Sequence, residues 1–206
     1  MSVNTTRKIM NYEQQIEKFL NKTGGIITTS DCNNMKIPTI YLTRLVKNNK
    51  LFRVKKGIYI TQGGNYDELY FYQCQYSKIV YSYVTSLYLQ DIGDIIPDKM
   101  DVTVYQGYKF NNALNNFKVH YVKPELYELG IIEVDTIFGN KVKVYSLERT
   151  FCDFVYNKQA IDQEAYINFI KYYANYKNKD LKGLYLIAKQ MSITKQVQDI
   201  MELINN

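Results

Sequence analysis

The chain has 206 residues, of which 46% are hydrophobic and 22% charged, so it can bury a core in one domain or two small ones. No stretch of about 20 uninterrupted apolar residues is present, which excludes a single-pass membrane helix. The formal charge of +6 is unevenly spread: 11 Lys/Arg against 3 Asp/Glu precede Asp67, and 15 against 17 follow. A basic front end joined to a near-neutral body suits nucleic-acid binding, because phosphate neutralisation needs locally clustered cations.

In chain order, Tyr12, Ile16, Phe19 and Leu20 repeat at helical spacing until Gly24-Gly25 stops them, which predicts an amphipathic first helix. Ile26-Ile27 predicts a short strand. Thr28 and Asp31 have the spacing of a capping box at the start of a short second helix. Asn33-Asn34 and Ile37-Pro38 make a turn, and Pro38 suits the first turn of a third helix that runs to about Asn48 and ends at Asn49. Leu51 to Val54 and Ile58 to Ile60 are β-rich, and Lys55-Lys56-Gly57 joins them as a tight hairpin, the wing. The polar, Gly-rich run Thr61 to Asn65 is the expected domain boundary.

Beyond it, Tyr66 to Tyr76 reads as helix, Ile79 to Tyr81 as strand and Thr85 to Leu89 as helix. Asp101 to Tyr105, Phe117 to Val122, Gly130 to Asp135 and Lys141 to Tyr145 read as strands of a small sheet, with Gly139-Asn140 a turn. From Leu147 the period turns helical again through Phe151, Phe154, Tyr166, Ile170, Leu184, Ile187, Val197 and Met201. The expected fold class is α+β: a winged helix-turn-helix over residues 1–65, then a mixed α/β domain over 66–206 that ends in a helical packet.

On the third helix Leu42, Leu45 and Val46 form the inward stripe, leaving Ile40, Thr43, Arg44 and Lys47 on the other face. In a major groove, Arg44 reaches guanine acceptors, Thr43 bonds a base or phosphate, and Ile40 meets a thymine methyl. Lys47 meets phosphate, and Thr39 and Tyr41 add backbone contacts that set register. Lys55 and Lys56 on the wing, with Arg53 assisting, grip an adjacent groove or strand. No acidic residue lies between Lys36 and Asn65. Codon bias can raise the number of lysines but does not segregate them.

Catalytic readings are weaker. His120, the one histidine, sits in an alternating segment with Val119 and Val122 and has no evident triad partners. Glu148 and Asp153 lie five apart on a predicted helix with Arg149, a spacing open to a metal but better suited to a helix-starting acid and an internal salt bridge. Gly63-Gly64 is too short for a phosphate loop, and neither a P-loop nor a dinucleotide fingerprint is present. The tyrosines at 66, 70, 72, 76, 81, 83 and 88 can stack on bases, but at helical spacing they read as core or half-buried surface. Cys32, Cys74 and Cys152 are odd in number and in no ligand spacing, which argues against disulfides and zinc and for a reducing cytoplasm. Arg7 and Lys8 are followed by the polar run Asn11 to Lys18, with no signal-type apolar region behind them. A soluble cytoplasmic protein is expected, with no cofactor, no metal and no catalytic residue.

Several segments resemble the AbiEi-type antitoxins of bacterial type IV toxin-antitoxin systems, which act in abortive infection and phage defence. They are Gly25-Ile26-Ile27-Thr28-Thr29, Tyr41-Leu42-Thr43-Arg44-Leu45-Val46, Leu51-Phe52-Arg53-Val54 and Gly57-Ile58-Tyr59-Ile60. The body agrees through Asp67-Glu68-Leu69-Tyr70, Ser86-Leu87-Tyr88-Leu89, Val102-Thr103-Val104, Tyr127-Glu128-Leu129-Gly130 and Leu147-Glu148-Arg149-Thr150-Phe151-Cys152-Asp153. The last segment, in the correct order after the others, carries the specificity. The chain departs from the pattern at Pro38-Thr39-Ile40, where Ser and basic residues tend to open the recognition helix, and at Tyr83, where a His is frequent.

The resemblance implies an antitoxin that binds inverted repeats in its own promoter as a transcriptional autorepressor, with two copies on the operator. It further implies a nucleotidyltransferase-like toxin as functional partner, opposed without a stable complex. Two other readings stand beside it: a plain winged-helix regulator with a ligand-sensing or dimerising C-terminal domain, and a metal-dependent nuclease or transferase using Glu148 and Asp153.

Overall fold

The computed structural model describes residues 11–92, 96–111 and 115–205. They form an α+β chain that divides into two compact units. The first holds the described residues up to Ser77 together with Thr136–Asn140, and the second those of Lys78–Asp135 and Lys141–Asn206.

In the first unit, α1 (Tyr12–Leu20) opens on a capping box: Gln14 donates its amide to the Asn11 side chain at 2.8 Å, and Asn11 donates its own to the Gln14 side chain at 3.1 Å. The chain reverses through Gly24 and Gly25, both left-handed at φ 61° and 83°. A Cβ on Gly25 would lie 2.8 Å from the Gly64 backbone, so only glycine fits there. Strand β1 (Ile26–Thr28) leads into α2 (Thr29–Asn34), where Thr28 and Asp31 satisfy each other's amides at 2.8 and 3.1 Å as their spacing predicts. Helix α3 (Ile40–Lys47) starts two residues after Pro38, whose carbonyl accepts from the Tyr41 amide in the preceding turn. Asn49, at φ 56°, turns the chain out of α3.

Strands β2 (Phe52–Lys55) and β3 (Ile58–Ile60) form the hairpin, with Gly57 at φ 77° in its turn. The sheet is antiparallel in the order β1-β3-β2, and a bulge between Arg53 and Lys55 shifts its register. The helices and β1 close over Ile16, Ile27, Cys32, Ile37, Leu42, Leu45 and Leu51. Each isoleucine or leucine of that set, removed from water, stabilises the fold by about 1.5–3 kcal/mol.

Helix α4 (Glu68–Gln75) also belongs to the first unit, which therefore extends past the boundary expected at Asn65. The reason is packing: Phe71 is fully buried against Ile26 and Ile58. Asp67 caps α4 by accepting from the Tyr70 amide at 3.1 Å and also accepts from Thr136 Oγ1 and from Asn140 Nδ2 at 2.7 Å.

The second unit holds β4 (Val80–Tyr81), α5 (Tyr83–Leu89), β5 (Met100–Tyr105), β6 (Phe117–Val122), α6 (Pro124–Tyr127), β7 (Ile131–Asp135) and β8 (Lys141–Tyr145). Its mixed sheet runs β6-β5-β4-β8-β7, with β5/β6 and β4/β8 parallel and the other pairs antiparallel. The single-turn α6 has too few residues to show a period and was not expected. Helices α7 (Leu147–Tyr156), α8 (Gln163–Asn175), α9 (Leu181–Gln190) and α10 (Thr194–Asn205) form the helical packet around Phe151, Phe154, Phe169, Tyr173, Leu184 and Val197. All three cysteines are free, and burial pushes the thiols of Cys32 and Cys152 up to about 11 and about 12. Among the described residues no helix is long and apolar enough to cross a membrane.

Candidate nucleic-acid interface

Helix α3 is amphipathic because Leu42 and Leu45 recur at three residues and both are buried. The opposite face carries Ile40, Thr43, Arg44 and Lys47, all exposed, and Ile40 is 51% exposed. A β-branched apolar residue left in water on a basic face gains by contact with an apolar surface such as a thymine methyl. Thr39 is exposed just before the helix and makes no capping hydrogen bond.

Tyr41 is half-buried, its ring packing edge-on against Tyr12 at 5.2 Å, while the Arg44 guanidinium lies 5.0 Å from its centroid. Its ring is thus engaged by α1 and supports Arg44 from beneath. Holding the guanidinium over a ring reduces the rotamer freedom that a contact would otherwise have to remove.

On the hairpin, Arg53 and Lys56 are exposed, but Lys55 is not at the free tip. Its ammonium is buried 3.9 Å from the Tyr72 ring centroid, without a hydrogen-bond partner among the described residues. Burial lowers its pKa below the ordinary lysine value, with Glu68 opposing, and Tyr72 donates its hydroxyl to Glu68 at 2.8 Å. The bulge explains the difference from the sequence reading, since an extra residue re-aims the side chain after it. Lys55 faces α4, and the exposed cations of the hairpin are Arg53 and Lys56. Lys36 and Lys50 are also exposed and were not singled out, although the acid-free run that begins at Lys36 contains both.

In the second unit Arg149 is fully buried, donating through Nε to Asp153 at 3.0 Å and through Nη1 to the Leu126 and Leu129 carbonyls, the latter at 2.9 Å. Its guanidinium also lies 4.2 Å from the Tyr145 ring centroid. Burial pushes the Asp153 carboxyl above the usual carboxylate range, with Arg149 pulling against it. Glu148 instead accepts from the Asp180 amide at 3.2 Å, so the two carboxylates of α7 have separate partners. Among the described residues no group of three or more His, Cys, Asp or Glu is placed to hold a metal ion. His120 does have a carboxylate partner that spacing could not reveal: parallel pairing of β5 and β6 brings Asp101 within 2.7 Å of its Nε2.

Residues 14–62, which span α1 through the hairpin, match the family described as transcriptional regulator, AbiEi antitoxin. Among solved structures, the crystal structure of the RV2827C protein from Mycobacterium tuberculosis is similar, with a TM-score of 0.56 and 9% identity, over 94% of this chain and 77% of that one. At that identity the likeness is one of fold. No protein of curated function matches in sequence.

Proposed function

We propose that the first unit is a winged helix-turn-helix that binds double-stranded DNA and represses transcription of its own operon. Helix α3 enters the major groove: Arg44, Thr43 and Ile40 read bases, while Lys47 and the wing's Arg53 and Lys56 hold phosphates. The carrying observation is the exposed face of α3, where Ile40, Thr43, Arg44 and Lys47 stand together beside a hairpin with two exposed cations. The match of residues 14–62 to AbiEi-type regulators supports the same reading.

On this reading the protein is the antitoxin of a type IV toxin-antitoxin system of abortive infection, with no catalytic step of its own. Its site is an inverted repeat in its own promoter, occupied by two copies. Its functional partner is a nucleotidyltransferase-like toxin in the same cytoplasm, opposed without a stable complex.

The test is fluorescence anisotropy on the DNA upstream of its own gene. Binding should weaken with salt, and Arg44→Ala should lose about 1–3 kcal/mol on the specific site and less on unrelated duplexes, narrowing the preference between them. Failure to bind any duplex at low ionic strength would overturn the DNA reading. Growth rescue on co-expression with a neighbouring toxin tests the antitoxin reading separately.

A further inference from the structure

An open cavity of about 780 Å³ lies within the second unit, between the edge strand β6, helix α7 and the turn from α9 to α10. Its size is that of a site for a small organic ligand. The side chains of Gln106, Asn157, Gln190 and Gln196 line it; the Asn157 amide already donates to the Tyr83 hydroxyl, and the other three can each donate and accept. Tyr121 and Tyr156, which also line it, are 51% and 63% exposed.

The exposed charges of the lining, Lys123 and Glu125, offset one another, and Arg149 is already paired with Asp153. Neither Arg149 Nη2 nor Asp153 Oδ2 has a hydrogen-bond partner among the described residues. Tyr83 contributes a backbone signature of its own. It is held at φ 47°, a left-handed conformation that is strained for an aromatic residue, with its ring 4.0 Å from His120 and its hydroxyl accepting from Asn157. Strain of that kind gathers at ligand sites, where the surroundings enforce it.

An apolar ligand would displace water from Gln106, Gln190 and Gln196 without replacing its hydrogen bonds, and a polyphosphate would find no net positive charge. A planar heterocycle with adjacent donors and acceptors satisfies the amides along its edge and the tyrosines on its face. We propose that this cavity binds a neutral nucleobase-bearing ligand, a nucleoside, independently of the DNA surface of the first unit.

Isothermal titration of the full chain with adenosine, guanosine, cytidine and uridine, and with the four triphosphates, tests this without DNA present. The expected result is saturable binding of at least one nucleoside, weakened tenfold or more by Tyr156→Ala or Gln196→Ala, with its triphosphate binding no more tightly. Both variants alter exposed residues, so the fold should persist, as circular dichroism would verify. Absence of saturation with all four nucleosides, indifference to both variants, or binding that requires the phosphates would overturn the proposal.

Discussion

Lys56 and Lys55 are sequence neighbours with opposite surroundings, and the salt dependence of DNA binding should tell them apart. Lys56 is exposed on the hairpin, whereas the Lys55 ammonium is buried over Tyr72. Each phosphate neutralised releases counterions and contributes about −0.9 to the slope of log K against log salt. On the proposed reading, which puts Lys47, Arg53 and Lys56 on phosphates, one bound copy gives a slope of about −2.7, a roughly 40-fold loss of affinity between 50 and 200 mM salt. Lys56→Ala removes one contact, so the slope falls to about −1.8 and the loss to roughly 12-fold. Lys55→Met keeps the aliphatic stem against Tyr72 and removes only the ammonium, so the slope should stay at its wild-type value. Anisotropy titrations of a labelled half-site at four salt concentrations resolve the difference. If Lys55→Met flattens the slope as much as Lys56→Ala does, the assignment of Lys55 to α4 is wrong.

The same lysine predicts a pH effect. Its folded pKa lies below the ordinary 10.5, so its contribution to stability is full above 10.5 and is lost as pH falls through the folded value. Urea midpoints of wild type minus Lys55→Met should therefore rise as pH approaches 10.5, and a pH-independent difference would contradict the burial. In the second unit, Arg149→Met leaves a buried carboxylate unpaired and should cost about 3–5 kcal/mol. The double variant with Asp153→Leu should recover much of that loss; if it does not, the pair is not the source of the cost. Gly25→Ala should destabilise the first unit by at least about 1–2 kcal/mol, because an L side chain is strained at its φ of 83° and meets the Gly64 backbone. A denaturation midpoint equal to wild type would show that the turn relaxes freely.

Local rules made much of the chain legible. The Thr28/Asp31 box, the left-handed stop at Asn49, the hairpin around Gly57 and the strands β5, β6, β7 and β8 lie where periodicity and turn chemistry put them. These features depend on residues within a turn or two of each other, so their causes sit side by side in the sequence. The α3 face was readable for the same reason: burial of Leu42 and Leu45 leaves Ile40, Thr43, Arg44 and Lys47 outside. Other facts needed the folded chain. The inward turn of Lys55 depends on a bulge and on Tyr72 from α4. The first unit reaches Ser77 because Phe71 fills a space against Ile26 and Ile58. Asp101 meets His120 only through parallel strand pairing, and the cavity lined by Tyr83, Gln106 and Gln196 gathers residues more than a hundred positions apart. Sequence pattern determined which faces are buried and where the chain turns, because those follow from short-range backbone chemistry. Partners across the fold were decided by packing, since close contact between distant segments is fixed only when the whole core closes.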